Sequence, residues 1–197
     1  MRRAVFLDRD GTINAMVYHA EHGLVDSPAN PEEFKLLPRT AEALNLIHKT
    51  GLLAVVVSNQ PGIAKGKFSP ALLQAMTQKM ERELAASGAF LDAIYYCKHH
   101  PEGVLEEYRK ECECRKPKPG LLLRAADDLG IDLRRSYMVG DGITDMQAGQ
   151  AAGTTNILLY GSSKWYLREE LERHAVRPDY IVKNLLEAAE LICGLEE

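Results

Sequence analysis

The chain has 197 residues, 46 % of them hydrophobic and 26 % charged, with a formal net charge of -4. That length fits one compact unit over residues 1–197, and the balance of apolar and charged residues excludes an unstructured chain. The negative charge argues against broad binding of nucleic acid, which depends on Lys and Arg neutralising phosphates.

The first apolar run, residues 4–7, is too short for a signal-peptide core and meets an acid at Asp8. It reads as a buried strand. Further strands are expected at 52–57, 93–96, 137–139 and 156–159, with a sixth at 180–182. Between them, helices are expected over about 38–49, 70–87, 120–129, 143–152, 164–174 and 184–193, and Gly51, Gly88 and Gly130 sit where helices would end. This alternation implies an α/β fold, a Rossmann-like parallel sheet covered by helices on both faces. The longest apolar run, 52–57, is far short of a membrane span, so no membrane partner and a cytoplasmic location are expected.

Two segments break the pattern. Residues 14–36 form a polar loop near Pro28, Pro31 and Pro38, and residues 97–119 form a charged loop holding Cys97, Cys112 and Cys114. Both follow strands, hence emerge at the edge where open α/β sheets place ligands.

Polar residues gather at the strand ends. Strand one ends in Asp8-Arg9-Asp10-Gly11-Thr12, where two close carboxylates repel unless a cation or a shared proton intervenes; a solvated turn is the plainer reading. The second strand ends in Ser58-Asn59-Gln60, whose donors suit a phosphate oxygen or a helix cap. Asp141, between two glycines, precedes Asp145 by one helical turn; a cation between them or a favourable helix N-terminus would each explain the pair. Arg115-Lys116-Pro117-Lys118-Pro119 is a dense positive patch in an acidic chain, or a solvated loop. Taken together, acids, donors and a cation would converge on one crevice.

The cysteine loop supplies Cys97-x-His99 and Cys112-x-Cys114, three sulfurs and one imidazole with twelve residues between the pairs. Such a set suits tetrahedral zinc, and a reducing compartment favours metal over disulfide; reduced thiols without metal are the alternative. His100 is an adjacent competitor. Cys193 falls on the apolar face of the last helix and reads as core.

These residues resemble the four motifs of the haloacid dehalogenase superfamily of phosphotransferases. The resemblance runs from residue 4 to about 153: Asp8 to Thr12 match its DxDGT signature, Ser58 its second-motif hydroxyl, Lys116 its lysine, and Asp141 with Asp145 its acidic fourth motif. The DRDGT variant, the stretch SNQPGIAKGKF at 58–68, and YYCKHHPEG with CECRKPKPG are similar to the bacterial D-glycero-D-manno-heptose 1,7-bisphosphate 7-phosphatases and their histidinol-phosphatase relatives. That branch has no large cap domain, and no block of residues here would form one.

The resemblance implies a Mg²⁺-dependent phosphatase acting on a small phosphorylated sugar. Asp8 would be the nucleophile and Asp10 the general acid and base. Mg²⁺ would lie on the Asp8 side chain, the Asp10 backbone carbonyl and Asp141. Arg9, Ser58, Asn59, Gln60, Arg115 and Lys116 would bind substrate or its phosphate. It also implies a structural Zn²⁺ on Cys97, His99, Cys112 and Cys114, with His99 preferred over His100, ordering the loop that delivers Arg115 and Lys116. Gly142 departs from the branch, which often has Lys or Arg there, and the 14–36 loop is longer than expected and would help to select substrate. Heptose bisphosphate leads as substrate, with histidinol phosphate or another sugar phosphate as the alternative. A zinc-containing nucleic-acid or protein-binding module is the reading from another class; the acidic charge and the intact acid set oppose it. A monomer is expected.

Overall fold

In chain order the described strands are β1 (Ala4–Leu7), β2 (Val17–His19), β3 (Leu24–Asp26), β4 (Leu53–Asn59), β5 (Ala93–Cys97), β6 (Tyr137–Gly140), β7 (Thr155–Leu159) and β8 (Tyr180–Val182). The helices are α1 (Thr40–Lys49), α2 (Pro70–Ala86), α3 (Gly120–Leu129), α4 (Ile143–Ala152), α5 (Leu167–Arg173) and α6 (Leu185–Glu196). The structure is a computed structural model that describes residues 1–21, 23–161 and 167–197, with the backbone alone at Arg168. Residues 164–166 of the expected helix 164–174 lie outside the described residues.

Six strands form one parallel sheet in the order β5-β4-β1-β6-β7-β8. β1 shows why both faces are covered. Its side chains alternate, so Val5 and Leu7 join Val56, Val139 and α1, α2 and α6 residues in one core. Ala4 and Phe6 join Val57, Met138 and α3, α4 and α5 residues in the other. Each of the larger side chains, Val, Leu, Phe or Met, contributes about 1.5–3 kcal/mol when buried from water. The expected two-faced parallel sheet is therefore present.

Local chemistry sets the helix ends. Ser69 accepts the Leu72 N–H at the start of α2, with Pro70 in the first helical position, and Asn184 accepts the Glu187 N–H at the start of α6. Gly130 closes α3 in the left-handed region that glycine occupies without strain. Most boundaries shift by a few residues from expectation, and two of the shifts have local reasons. α1 starts at Thr40 rather than Pro38 because Arg39 is itself left-handed, with φ 62°. β4 runs on to Asn59, where Ser58 and Asn59 pair with Tyr96 and Cys97.

The segment 14–36 is not wholly loop. β2 and β3 pair antiparallel as a separate hairpin, and its base is closed by a bridge between Asn14 and Leu36. Tyr18, Leu24 and Val25 are exposed, so no buried alternation announces these three-residue strands. Cys193 is half-buried, its thiol directed at the Leu46 carbonyl, rather than full core. Among the described residues no helix is long and apolar enough to cross a membrane.

Candidate active site

β1 lies between β4 and β6, so the C-terminal tips of three adjacent strands set Asp8, Ser58 and Asp141 around one point. The Asp8 N–H donates to the Val139 carbonyl at 3.0 Å, which carries the ladder into the first motif. Gly11 has φ 85°, and a Cβ there would fall 1.9 Å from Asp141 Oδ2. Glycine is thus needed both for the turn and for the approach of the fourth-motif carboxylate.

Lys116 supplies the cation at this point. Its ammonium donates to Asp8 Oδ1 at 2.8 Å and to the Val57 carbonyl at 2.8 Å, and pairs with Asp145 Oδ1 at 2.5 Å. The side chain is 2 % exposed. Burial lowers its pKa, but Asp145 and Asp8 outweigh that and hold it above the usual lysine range. Burial pushes Asp145 up to about 7, with Lys116 pulling it down and Asp8 and Asp141 adding to the rise. The other Asp145 oxygen accepts the Gly142 N–H at 3.0 Å and so caps α4. Asp145 is therefore a second anchor for the lysine, a role its spacing from Asp141 does not reveal.

Asp8, Asp141 and Asp145 offer carboxylate oxygens within 4.8 Å of one another. Oxygens about 2.1 Å from one Mg²⁺ ion lie at most about 4.2 Å apart, so these three hard donors suit the ion once drawn slightly together. The Asp10 carboxylate is not in this group. It accepts from Arg9 Nε and Nη2, from Asn14 Nδ2 at 3.0 Å and from Gln60 Nε2 at 2.8 Å.

Three residues expected on substrate make hydrogen bonds within the protein. The Arg9 side chain is fully buried and pairs with Asp10, because the turn after β1 folds its guanidinium inward. Gln60 is buried on Asp10, with Nε2 also 3.3 Å from Ser58 Oγ. Asn59 spends its amide on the backbone of Lys116, donating to the carbonyl and accepting the N–H, both at 3.0 Å. Arg9 and Gln60 thus shape the site from behind, whereas Asn59 stays in the wall of the cleft with its amide engaged. Arg115 is half-buried with its guanidinium 3.4 Å from the His99 carbonyl.

A cleft of about 460 Å³ opens over this floor. Asp8, Asp10, Lys116 and Asp141 lie at its base, Met16, Val25 and Ser27 bring the hairpin segment to one wall, and Leu167 and Glu170 of α5 stand at another. The long 14–36 segment thus borders the reaction centre. Lys67 pairs with Asp26 at the end of β3, and Lys79 donates to the Pro31 and Phe34 carbonyls, both at 2.8 Å. The 14–36 segment was expected to help select substrate, but no pattern singled out Asn14, Met16 or Ser27 within it, because their parts depend on the turn after β1.

The cysteine loop closes on itself. Cys97, Cys112 and Cys114 sulfurs lie 3.2–3.6 Å apart, and His99 Nδ1 lies 3.4 Å from Cys114 Sγ and 3.9 Å from Cys97 Sγ. Sulfurs about 2.3 Å from one zinc at tetrahedral angles would sit about 3.8 Å apart, so the set fits the metal after a slight expansion. His100 turns away, its Nδ1 accepting the Glu102 N–H. Burial, then Lys110 and Lys98, lowers the His99 pKa, which favours the neutral imidazole that binds metal.

The chain is similar to known proteins over nearly its whole length. A family model described as HAD-hydrolase-like matches residues 113–188. The D-glycero-beta-D-manno-heptose-1,7-bisphosphate 7-phosphatase of Escherichia coli is 43% identical over 189 residues, 96% of this chain and 93% of that one. The chain belongs to the haloacid dehalogenase superfamily. The Pasteurella multocida protein of the same name is 41% identical over 196 residues, spanning 100% of both chains. A solved structure, the D,D-heptose 1.7-bisphosphate phosphatase from B. bronchiseptica complexed with magnesium and phosphate, superposes with a TM-score of 0.80. It is 30% identical, and the match covers 98% of this chain and 99% of that one. Its relatives at 41–43% identity over nearly the whole chain are phosphatases by name, and the chain is a phosphatase, a phosphoric monoester hydrolase.

Proposed function

We propose that this phosphatase removes the 7-phosphate of D-glycero-D-manno-heptose 1,7-bisphosphate through an aspartyl-phosphate on Asp8. The observation that carries the chemistry is the Lys116 ammonium set between Asp8 and Asp145 beneath an open cleft, with Asp141 in reach of the same oxygens. The substrate rests on the relatives of that name, which match nearly the whole chain.

The phosphate ester resists an anionic nucleophile, so positioning and charge neutralisation supply most of the catalysis. Asp8 attacks phosphorus; the bond to the leaving oxygen breaks, and its electron pair stays on that oxygen as Asp10 protonates it. Water then attacks the aspartyl-phosphate, Asp10 takes its proton, and the Asp8 carboxylate leaves. Lys116 and Ser58 hold the phosphoryl oxygens, and the buried ammonium offsets charge there more effectively than an exposed one. Mg²⁺, held by Asp8, Asp141 and the Asp10 carbonyl with Asp145 beside them, would neutralise phosphoryl charge as a Lewis acid. Zn²⁺ on Cys97, His99, Cys112 and Cys114 would have four protein ligands and so a structural role, fixing the segment that carries Lys116.

A phosphate-release screen tests this reading. Heptose bisphosphate, histidinol phosphate, simple sugar phosphates and nucleotides are compared with and without Mg²⁺, using Asp8→Asn as the blank. The heptose should give the highest kcat/KM, and Asp8→Asn should be folded and inactive. More than a trace of turnover by that variant removes Asp8 from its role, and a preference for histidinol phosphate replaces the substrate.

A further inference from the structure

Arg9 is charged, adjacent in sequence to the nucleophile, and inaccessible to substrate, with its side chain fully buried. Burying a guanidinium is costly unless its donors are met. Here Nε and Nη2 donate to Asp10 Oδ1 at 3.0 and 2.9 Å, and Nη2 reaches Oδ2 at 3.1 Å. Nη1 has no hydrogen-bond acceptor among the described residues. Two rings wall the group in, Phe34 with its centroid 5.9 Å from Cζ and Tyr96 at 5.6 Å. Both walls are fixed. The Phe34 carbonyl is held by Lys79, and the Tyr96 phenol oxygen lies 3.1 Å from Thr77 Oγ1.

A planar fork in a rigid slot restricts the carboxylate it grips to one plane and one reach. An ion pair kept only for stability gains little over apolar packing of similar volume and has no reason to end at a cleft. This one ends on the carboxylate at the base of the active-site cleft. The same carboxylate is tied through Gln60 to Ser58 Oγ, at 2.8 and 3.3 Å, so its orientation is linked to the hydroxyl assigned to phosphate.

We infer that Arg9 is a positioning residue for Asp10. It orients the carboxylate for proton delivery to the leaving oxygen and never meets the substrate. Oδ1 accepts three N–H contacts, from Arg9 Nε, Arg9 Nη2 and Asn14 Nδ2, while Oδ2 accepts two. This inference rests on the reading of Asp10 as general acid.

The test exploits the leaving group. An alkoxide must be protonated as it departs, whereas nitrophenolate leaves without a proton. Pre-steady-state bursts are recorded for a sugar phosphate and for p-nitrophenyl phosphate, with Asp10→Asn as reference. Asp10→Asn should slow the sugar-phosphate burst about 100-fold more than the aryl burst. Arg9→Lys, which keeps the charge and loses the fork, should show the same selectivity at about 10-fold, with KM nearly unchanged and no further loss when added to Asp10→Asn. Equal slowing of both bursts, or a change confined to KM, overturns the inference. Phe34→Leu, which loosens one wall, should give the same selectivity more weakly. If Arg9→Lys does not fold, an unchanged leaving-group ratio in Phe34→Leu overturns the inference instead. If Asp10→Asn itself shows no selectivity, the acid role of Asp10 fails and the inference falls with it. Selectivity in Asp10→Asn without any in Arg9→Lys refutes the positioning role alone.

Discussion

Replacing Lys116 with Met removes a buried ammonium and keeps most of the side-chain volume. It leaves two acids, Asp8 and Asp145, and the Val57 carbonyl without their shared donor, at contacts of 2.8, 2.5 and 2.8 Å. Breaking a buried pair this way costs about 3–5 kcal/mol, a large share of the roughly 5–15 kcal/mol that holds a domain together. With a urea dependence near 2 kcal/mol per molar, the unfolding midpoint should fall by about 2 M. Adding Asp145→Asn neutralises one orphaned acid and retains an oxygen to cap the Gly142 N–H. The double variant should therefore regain at least about 1 kcal/mol over Lys116→Met alone. Urea unfolding of wild type, both single variants and the double variant, in metal-free buffer, completes the cycle. A loss under about 1 kcal/mol for Lys116→Met, or no coupling with Asp145→Asn, would refute the claim that this ammonium holds the strand tips together.

Other consequences are equally direct. Gly11→Ala sets a methyl group 1.9 Å from Asp141 Oδ2 in a left-handed backbone, so the Mg²⁺ needed for half-maximal activity should rise by at least about 10-fold and stability should fall by about 1–2 kcal/mol; Mg²⁺ titration of activity and urea unfolding read the two effects. Protein purified without chelator should contain about one equivalent of zinc, lost in Cys114→Ser together with about 5 °C of Tm; elemental analysis finding less than about a tenth of an equivalent in the native protein would leave the cluster as reduced thiols. Burial, the Tyr137 hydroxyl's bond to Glu196 Oε1 and that carboxylate's charge push the phenol up to about 12. A raised folded-state pKa means that the unfolded chain loses this proton first, so stability should decline between about pH 10 and 12. Urea unfolding across that range should show a shallower decline in Tyr137→Phe.

The legible parts of the fold were those whose chemistry is local. Residues 4–7 and 52–57 read as strands because every side chain is apolar, and the two cores account for that on both faces. The β2–β3 hairpin was hidden because its side chains face solvent, and the start of α1 was hidden because nothing marks Arg39 as left-handed. The site divides in the same way. Asp8 and Asp141 stand out as charges at strand ends, and Lys116 stands out within the dense positive patch of the 97–119 loop. By contrast, the inward turn of Arg9 depends on the backbone after β1. Asn59 finds its partner 57 residues away, which no local pattern encodes.

The hairpin stands apart from the six-stranded sheet and is fastened at its base by the Asn14–Leu36 bridge and the Ile13 carbonyl to Leu37 N–H bond. Residues can be gained or lost at its tip without shifting the register of any core strand. Change in which molecule is admitted can therefore accumulate in descendants of this gene while the reacting groups stay still, so homologues of one chemistry should diverge first between residues 15 and 35.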